Sequence, residues 1–99
     1  MKTIEKNKNR KIFIYGAGHV AGKFWNAFKY YIHTFGGFLV SDDQHLEDGE
    51  TKYEYRVLKL SSVMREDDFF ILIAAATDNS DEMEENVKNL GIKAYARLW

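Results

Sequence analysis

Apolar residues along this chain switch between a period of two and a period of about 3.6, and the switches mark out strands and helices in alternation. Residues 11–15 pass from Lys11 into the unbroken apolar run Ile-Phe-Ile-Tyr, which predicts a strand covered on both faces of a parallel sheet. Val20, Ala21, Phe24, Trp25, Phe28, Tyr31 and Ile32 then fall on one helical face, with Lys23, Asn26 and Lys29 on the other. A second strand is predicted over 34–40, entered through Phe35-Gly36-Gly37 and followed at once by Ser41-Asp42-Asp43. The polar stretch 42–52 reads as a solvated loop, 53–58 as a short strand, and 60–64 as a short helix capped by Ser61 or Ser62. Residues 69–76 form another fully apolar strand, with the small tail Ala74-Ala75-Ala76-Thr77. Asp78, Asn79 or Ser80 caps the next helix, whose apolar stripe is Met83, Val87 and Leu90. Asp81, Glu82, Glu84 and Glu85 load its positive end, and Gly91 terminates it. Over 92–99, Ala94, Ala96 and Leu98 alternate with Lys93, Tyr95 and Arg97, the pattern of an edge strand with one solvated face.

This order predicts an α/β fold: a three-layer, Rossmann-like domain whose five-stranded, mostly parallel sheet is arranged 3-2-1-4-5 around the strand at 11–15. Right-handed crossovers place helices on both faces. With 99 residues and 45% hydrophobic composition the chain can fill one core, so a single domain over 1–99 is expected. Because its last residue, Trp99, sits in a predicted strand, the chain is expected to be excised from a longer protein.

The chemistry concentrates at Gly16-Ala17-Gly18-His19-Val20-Ala21-Gly22, where the first strand runs into the first helix. Gly16 allows the sharp turn, Gly18 has no side chain to hold a pyrophosphate off the backbone, and Ala21 lets helix and strand touch. Free N–H groups at the helix start then face an anion, with Ala17, His19 and Val20 around it. Neutral His19 can donate to a phosphate, although helix N-capping or plain solvent exposure is the favoured role for it. An acidic side chain about 20 residues past such a turn accepts hydrogen bonds from a ribose diol. Asp42 stands at that distance, with Asp43 as the close alternative; an Asp after a strand also simply makes a turn. Ala75 and Ala76 would border the same cleft, where a bulky residue would fill it.

Charge and composition remove other readings. Fourteen basic against fifteen acidic residues leave a net charge of −1, which argues against nucleic acid as a partner. The basic lead-in over 1–11 reads as a solvated segment. Cysteine is absent, so disulfides and thiolate metal sites are excluded, and the acidic loop at 42–52 lacks the register of a calcium site, so no metal is expected. The longest apolar run has eight residues, against roughly 20 for a membrane span, so no membrane insertion and a cytoplasmic location are expected. Tyr55 and Lys59 have the spacing of a dehydrogenase Tyr-Lys pair, but that pair needs a helix and these flank a predicted strand. No catalytic residue is assigned, and the chain is not expected to be catalytic alone.

The segments Lys11-Ile12-Phe13-Ile14-Tyr15-Gly16-Ala17-Gly18, Gly37-Phe38-Leu39-Val40-Ser41-Asp42 and Ile71-Leu72-Ile73-Ala74-Ala75 together resemble the small Rossmann-type domain at the front of bacterial sugar O-acyltransferases and related surface-glycan transferases. In the acyltransferases the glycine turn carries paired glycines where His19-Val20-Ala21 stand here. The resemblance implies a module that binds a small-molecule nucleotide or nucleotide-sugar of UDP type for surface-polysaccharide biosynthesis, next to a downstream transferase domain. It implies Gly16, Gly18 and His19 near the phosphates and Asp42 near the ribose or base. Two other readings stand beside it. One is an NAD(H)-sensing regulatory domain, since the loop-helix near Thr77-Asp78-Asn79 resembles the cytoplasmic gating domains of potassium transporters. The other is a non-binding structural or dimerisation domain, with the edge at 92–99 pairing two copies into a homodimer.

Overall fold

A computed structural model describes residues 4, 6, 7, 9–16, 18–75 and 77–97, with Thr77 and Asp78 in backbone only. The expected site residues Ala17 and Ala76 and the predicted strand positions Leu98 and Trp99 lie outside the described residues. The elements are β1 (Lys11–Tyr15), α1 (His19–Phe28), β2 (Phe35–Val40), β3 (Thr51–Lys52), β4 (Tyr55–Lys59), β5 (Phe69–Ile73), α2 (Thr77–Asn89) and β6 (Tyr95–Arg97). They build an α/β domain around one mixed, mostly parallel sheet of six strands in the order β3-β4-β2-β1-β5-β6. The expectation was five strands in the order 3-2-1-4-5, and both count and order differ. The difference arises at residues 51–59: β3 stands at the end of the stretch 42–52 expected to be a solvated loop, and it forms a hairpin with β4, running antiparallel on the sheet edge.

That hairpin turns on Tyr53 (φ +51°) and Glu54 (φ +70°), two consecutive left-handed residues with side chains. Asn-Gly is the usual signal for such a turn, so nothing in the residue types announced it. Packing holds it instead. The Tyr53 ring lies 6.2 Å from Phe38 and the Lys52 ammonium 5.0 Å from that ring. The Tyr53 hydroxyl also covers Gly22 of α1, where a Cβ would come within 2.6 Å of it.

Strand alternation divides the core in two. Ile12, Ile14, Phe38, Phe70 and Leu72 meet Ala21, Phe24 and Trp25 of α1. Phe13, Tyr15, Leu39, Ile71 and Ile73 meet Val87 of α2 with Leu60 and Val63. The central strand is therefore covered on both faces, which is why its sequence is apolar at successive positions rather than alternate ones. Between β1 and β2 the register slips at Gly36, so that Ile12 faces Phe35 while Phe13 faces Gly37. A Cβ on Gly36 would fall 2.5 Å from the Phe13 ring, and that ring takes its place.

Several local expectations change. The first helix stops at Phe28 and continues as a 3-10 turn over Lys29–Tyr31, which rotates Tyr31 out of the face until it is 51% exposed. Leu60–Arg65 is also a 3-10 turn, and neither serine caps it; the Ser62 hydroxyl donates to the carbonyl oxygen of Lys59. Asp78, Asn79 and Ser80 lie within α2, which begins at Thr77. In the lead-in, Ile4 is 1% exposed in the α1-side core, and Arg10 and Lys11 are paired with Asp68 (3.0 Å) and Glu66 (2.6 Å). The solvated reading of that segment therefore fails at these positions.

The edge strand β6 is not solvated on its polar face either. Tyr95 donates to Glu84 at 2.7 Å, and Arg97 Nη1 reaches Glu84 at 3.0 Å and Asp81 at 2.8 Å. A three-residue strand is thereby fastened to α2 by its side chains. The hydrogen bond from Tyr95, helped by Arg97 and Lys88 and opposed by burial, holds the Glu84 carboxyl below its ordinary range.

Two predictions follow from this packing. Gly16 has φ +126° and a Cβ there would lie 2.5 Å from the Ala74 carbonyl oxygen, so Gly16→Ala should lower the unfolding free energy by about 2–4 kcal/mol in a denaturant titration. Glu84, with its folded pKa depressed, contributes stability above its unfolded value and loses it as pH falls through the folded one. Glu84→Gln should therefore flatten the acid limb of stability against pH, measured by urea unfolding from neutral to acid.

Candidate functional site

At the carboxyl ends of β1, β2 and β5 the sheet opens into a cleft of about 620 Å³. That is the size of a small-molecule site, and its place is where crossovers leave a central strand in opposite directions. Tyr15, Gly16 and Leu39 form the floor with Ala74 and Ala75. Gly18, His19 and Val20 bring in the start of α1, Ser41, Asp43 and Gln44 form the wall after β2, and Asn79, Glu82, Met83 and Asn86 form the wall on α2.

Gly16 builds the opening. Its N–H donates to the Leu39 carbonyl (2.8 Å), the Ala74 N–H donates to the Tyr15 carbonyl (2.9 Å), and three strand ends are thus tied around one residue without a side chain. Gly18 follows as the N-cap of α1, with φ −91°, and no side chain among the described residues bonds to the cap. The first intrahelical bond runs from the Gly22 N–H to the Gly18 carbonyl at 3.1 Å, so the amides of His19, Val20 and Ala21 precede the hydrogen-bonded ladder. A Cβ on Gly18 would meet nothing within 4 Å. The space beside the helix start is open.

Polar groups deep in the cleft are satisfied and those at its rim are not. The Tyr15 hydroxyl shares a hydrogen bond with Ser41 Oγ (2.6 Å) and accepts one from Asn86 Nδ2 (3.2 Å), linking both walls beneath the opening. Among the described residues, the side chains of His19, Asp43, Gln44, Asn79 and Glu82 have no hydrogen-bond partner in the protein. Among the described residues, Asp43 and Glu82 are the carboxylates of the lining, and neither Lys nor Arg belongs to it.

Of the residues expected from sequence, Gly16, Gly18, His19, Val20, Asp43 and Ala75 come together in this cleft. Asp42 does not. Its Oδ1 accepts from the Ser61 N–H at 2.9 Å, and its carbonyl oxygen accepts from Lys59 Nζ at 2.7 Å. Lys59 also donates to the Gln44 carbonyl, so one ammonium gathers the loop that presents Asp43. Tyr55 and Lys59 both stand on β4 and not on a helix. Sequence reading missed the α2 wall, whose signal was the spacing of Asn79, Glu82 or Met83, and Asn86 on one helical face. Met83 was assigned to the core and Glu82 to the helix dipole. Tyr15 was missed too, its signal being a lone hydroxyl ending an apolar strand.

Among the described residues no group of three or more metal-ligating side chains is assembled, and no helix is long and apolar enough to cross a membrane. Comparison with protein-family models, with curated proteins and with solved structures finds no match.

The two adjacent acids should separate by experiment. Asp42→Ala removes the carboxylate that caps the 3-10 turn and should cost about 1 kcal/mol of unfolding free energy. Asp43→Ala should change it by no more than about 0.5 kcal/mol, because the Asp43 side chain serves no internal partner. Parallel denaturant titrations give both numbers.

Proposed function

We propose that this domain is a Rossmann-like module that binds a nucleotide diphosphate, in the form of a nucleotide-sugar, and holds it for a surface-glycan transferase. One observation carries the reading: the uncapped first turn of α1 opens, beside a residue without a side chain, into a cleft at the carboxyl ends of the central strands. Three amides outside the helical ladder, with the helix dipole behind them, suit a pyrophosphate. Asp43, unpaired on the wall after β2, suits a ribose diol in the role that spacing offered to Asp42 or its neighbour. The resemblance of the glycine turn and strand ends to surface-glycan transferase domains directs the choice toward a UDP-type ligand.

Calorimetry with UDP-sugars, CMP, NAD(H) and NADPH tests this directly. Binding confined to UDP compounds is the expected result; binding confined to NAD(H) would transfer the site to a dinucleotide sensor, and no binding would leave a scaffold. Gly18→Val should abolish binding by filling the space beside the amides, while the melting transition stays in place because that space is open. A folded Gly18→Val protein with undiminished affinity would refute the placement.

A further inference from the structure

The α2 wall has chemistry of its own. Asn79, Glu82 and Asn86 share one helical face and reach the cleft opposite the wall after β2. Asn86 is engaged with Tyr15, whereas Asn79 and Glu82 have no internal partner among the described residues. The ordinary explanation of an acid near a helix start is the helix dipole, but α2 begins at Thr77 and Glu82 lies beyond its first turn, where that field has faded. Nor do helix neighbours neutralise it, since the residues three and four away are Asp78, Asn79, Glu85 and Asn86. Glu82 is therefore an uncompensated carboxylate on one wall, facing a cleft whose other wall carries Asp43.

Among the described lining residues, two carboxylates without a Lys or Arg make this a poor receptacle for a terminal phosphate. A phosphate monoester has a second ionisation near pH 6 (about 6), so at neutral pH it approaches two negative charges. A pyrophosphate esterified at both ends carries one charge per phosphorus and ends in neutral groups, and the α1 amides supply the partial positive charge for its centre. Carboxylates are hydrogen-bond acceptors, and sugar hydroxyls are the donors that satisfy them.

From this arrangement, and resting on the nucleotide reading above, we propose that Glu82 and Asn79 form a second hydroxyl-binding wall that takes the sugar beyond the pyrophosphate. The cleft then prefers a diphosphate diester with hydroxylated groups at both ends over a nucleotide ending in a free phosphate. Glu82 and Asp43 act as paired specificity determinants, one for each end of the ligand.

Titration calorimetry of the full chain with UDP-glucose and with UDP provides the test. The unmodified protein should bind UDP-glucose at least about tenfold tighter than UDP. Glu82→Gln, an exposed substitution that keeps the fold, should weaken UDP-glucose by about tenfold while leaving UDP unchanged or tighter. Asp43→Asn, on the nucleotide's side, should weaken both ligands. If Glu82→Gln shifts both ligands equally, or neither, Glu82 is only a background charge and the sugar wall is overturned while the nucleotide reading stands. Tighter binding of UDP than of UDP-glucose overturns it as well. If the unmodified protein binds neither compound, the nucleotide reading itself falls.

Discussion

Gly16 sits where β1 must leave the sheet, with the carbonyl of Ala74 so close that a single added carbon would stand 2.5 Å from it. The chain passes only because that carbon is missing. Its amide is held by Leu39 and the preceding carbonyl by Ala74, so the ends of β2 and β5 are drawn against the turn from both sides. The start of α1 is thereby fixed over the carboxyl edge of the sheet, with its unladdered amides beside an open space. Move this crossing and the cleft, its floor and both walls lose their common reference.

Around that crossing, the protein separates groups that hold the structure from groups left for something else. Tyr15 joins Ser41 to Asn86 under the cleft, and Lys59 and Asp42 tie the loop after β2 through carbonyl oxygens and a backbone amide. These polar atoms are occupied. The side chains one step outward, Asp43, Gln44, Asn79 and Glu82, have no such duty among the described residues. Buried polar groups without partners would be costly, and these avoid the cost by standing at a rim that water or a ligand can reach.

How far the residues announced this arrangement varied with how local each signal was. The strand at Lys11–Tyr15 and the helix from His19 were legible because periodicity and a glycine turn are properties of adjacent residues. The extra edge strand was not, because a turn on Tyr53 and Glu54 breaks turn chemistry and is held by Phe38 and Gly22 from elsewhere in the chain. The alternation in Tyr95–Arg97 was read as an exposed face, yet Glu84 and Asp81 of α2 cover it. An alternating pattern reports which residues share a side; it does not report whether a helix with matching charges lies over the polar one.

By itself the sequence determined the alternation of apolar strands with amphipathic helices, the mostly parallel character of the sheet, and the glycine turn at Gly16 and Gly18, since each depends on conformational preferences within a few residues. Tertiary structure decided between Asp42 and Asp43, sending one to cap a distant turn and leaving the other at the cleft. It also turned Glu82 and Asn79 from helix-surface residues into a wall of that cleft, and Tyr15 from a core side chain into the link beneath it. The reason is geometric. Which of two neighbouring carboxylates meets a given amide, and which helical face borders an opening, depends on how separate elements are docked across the sheet.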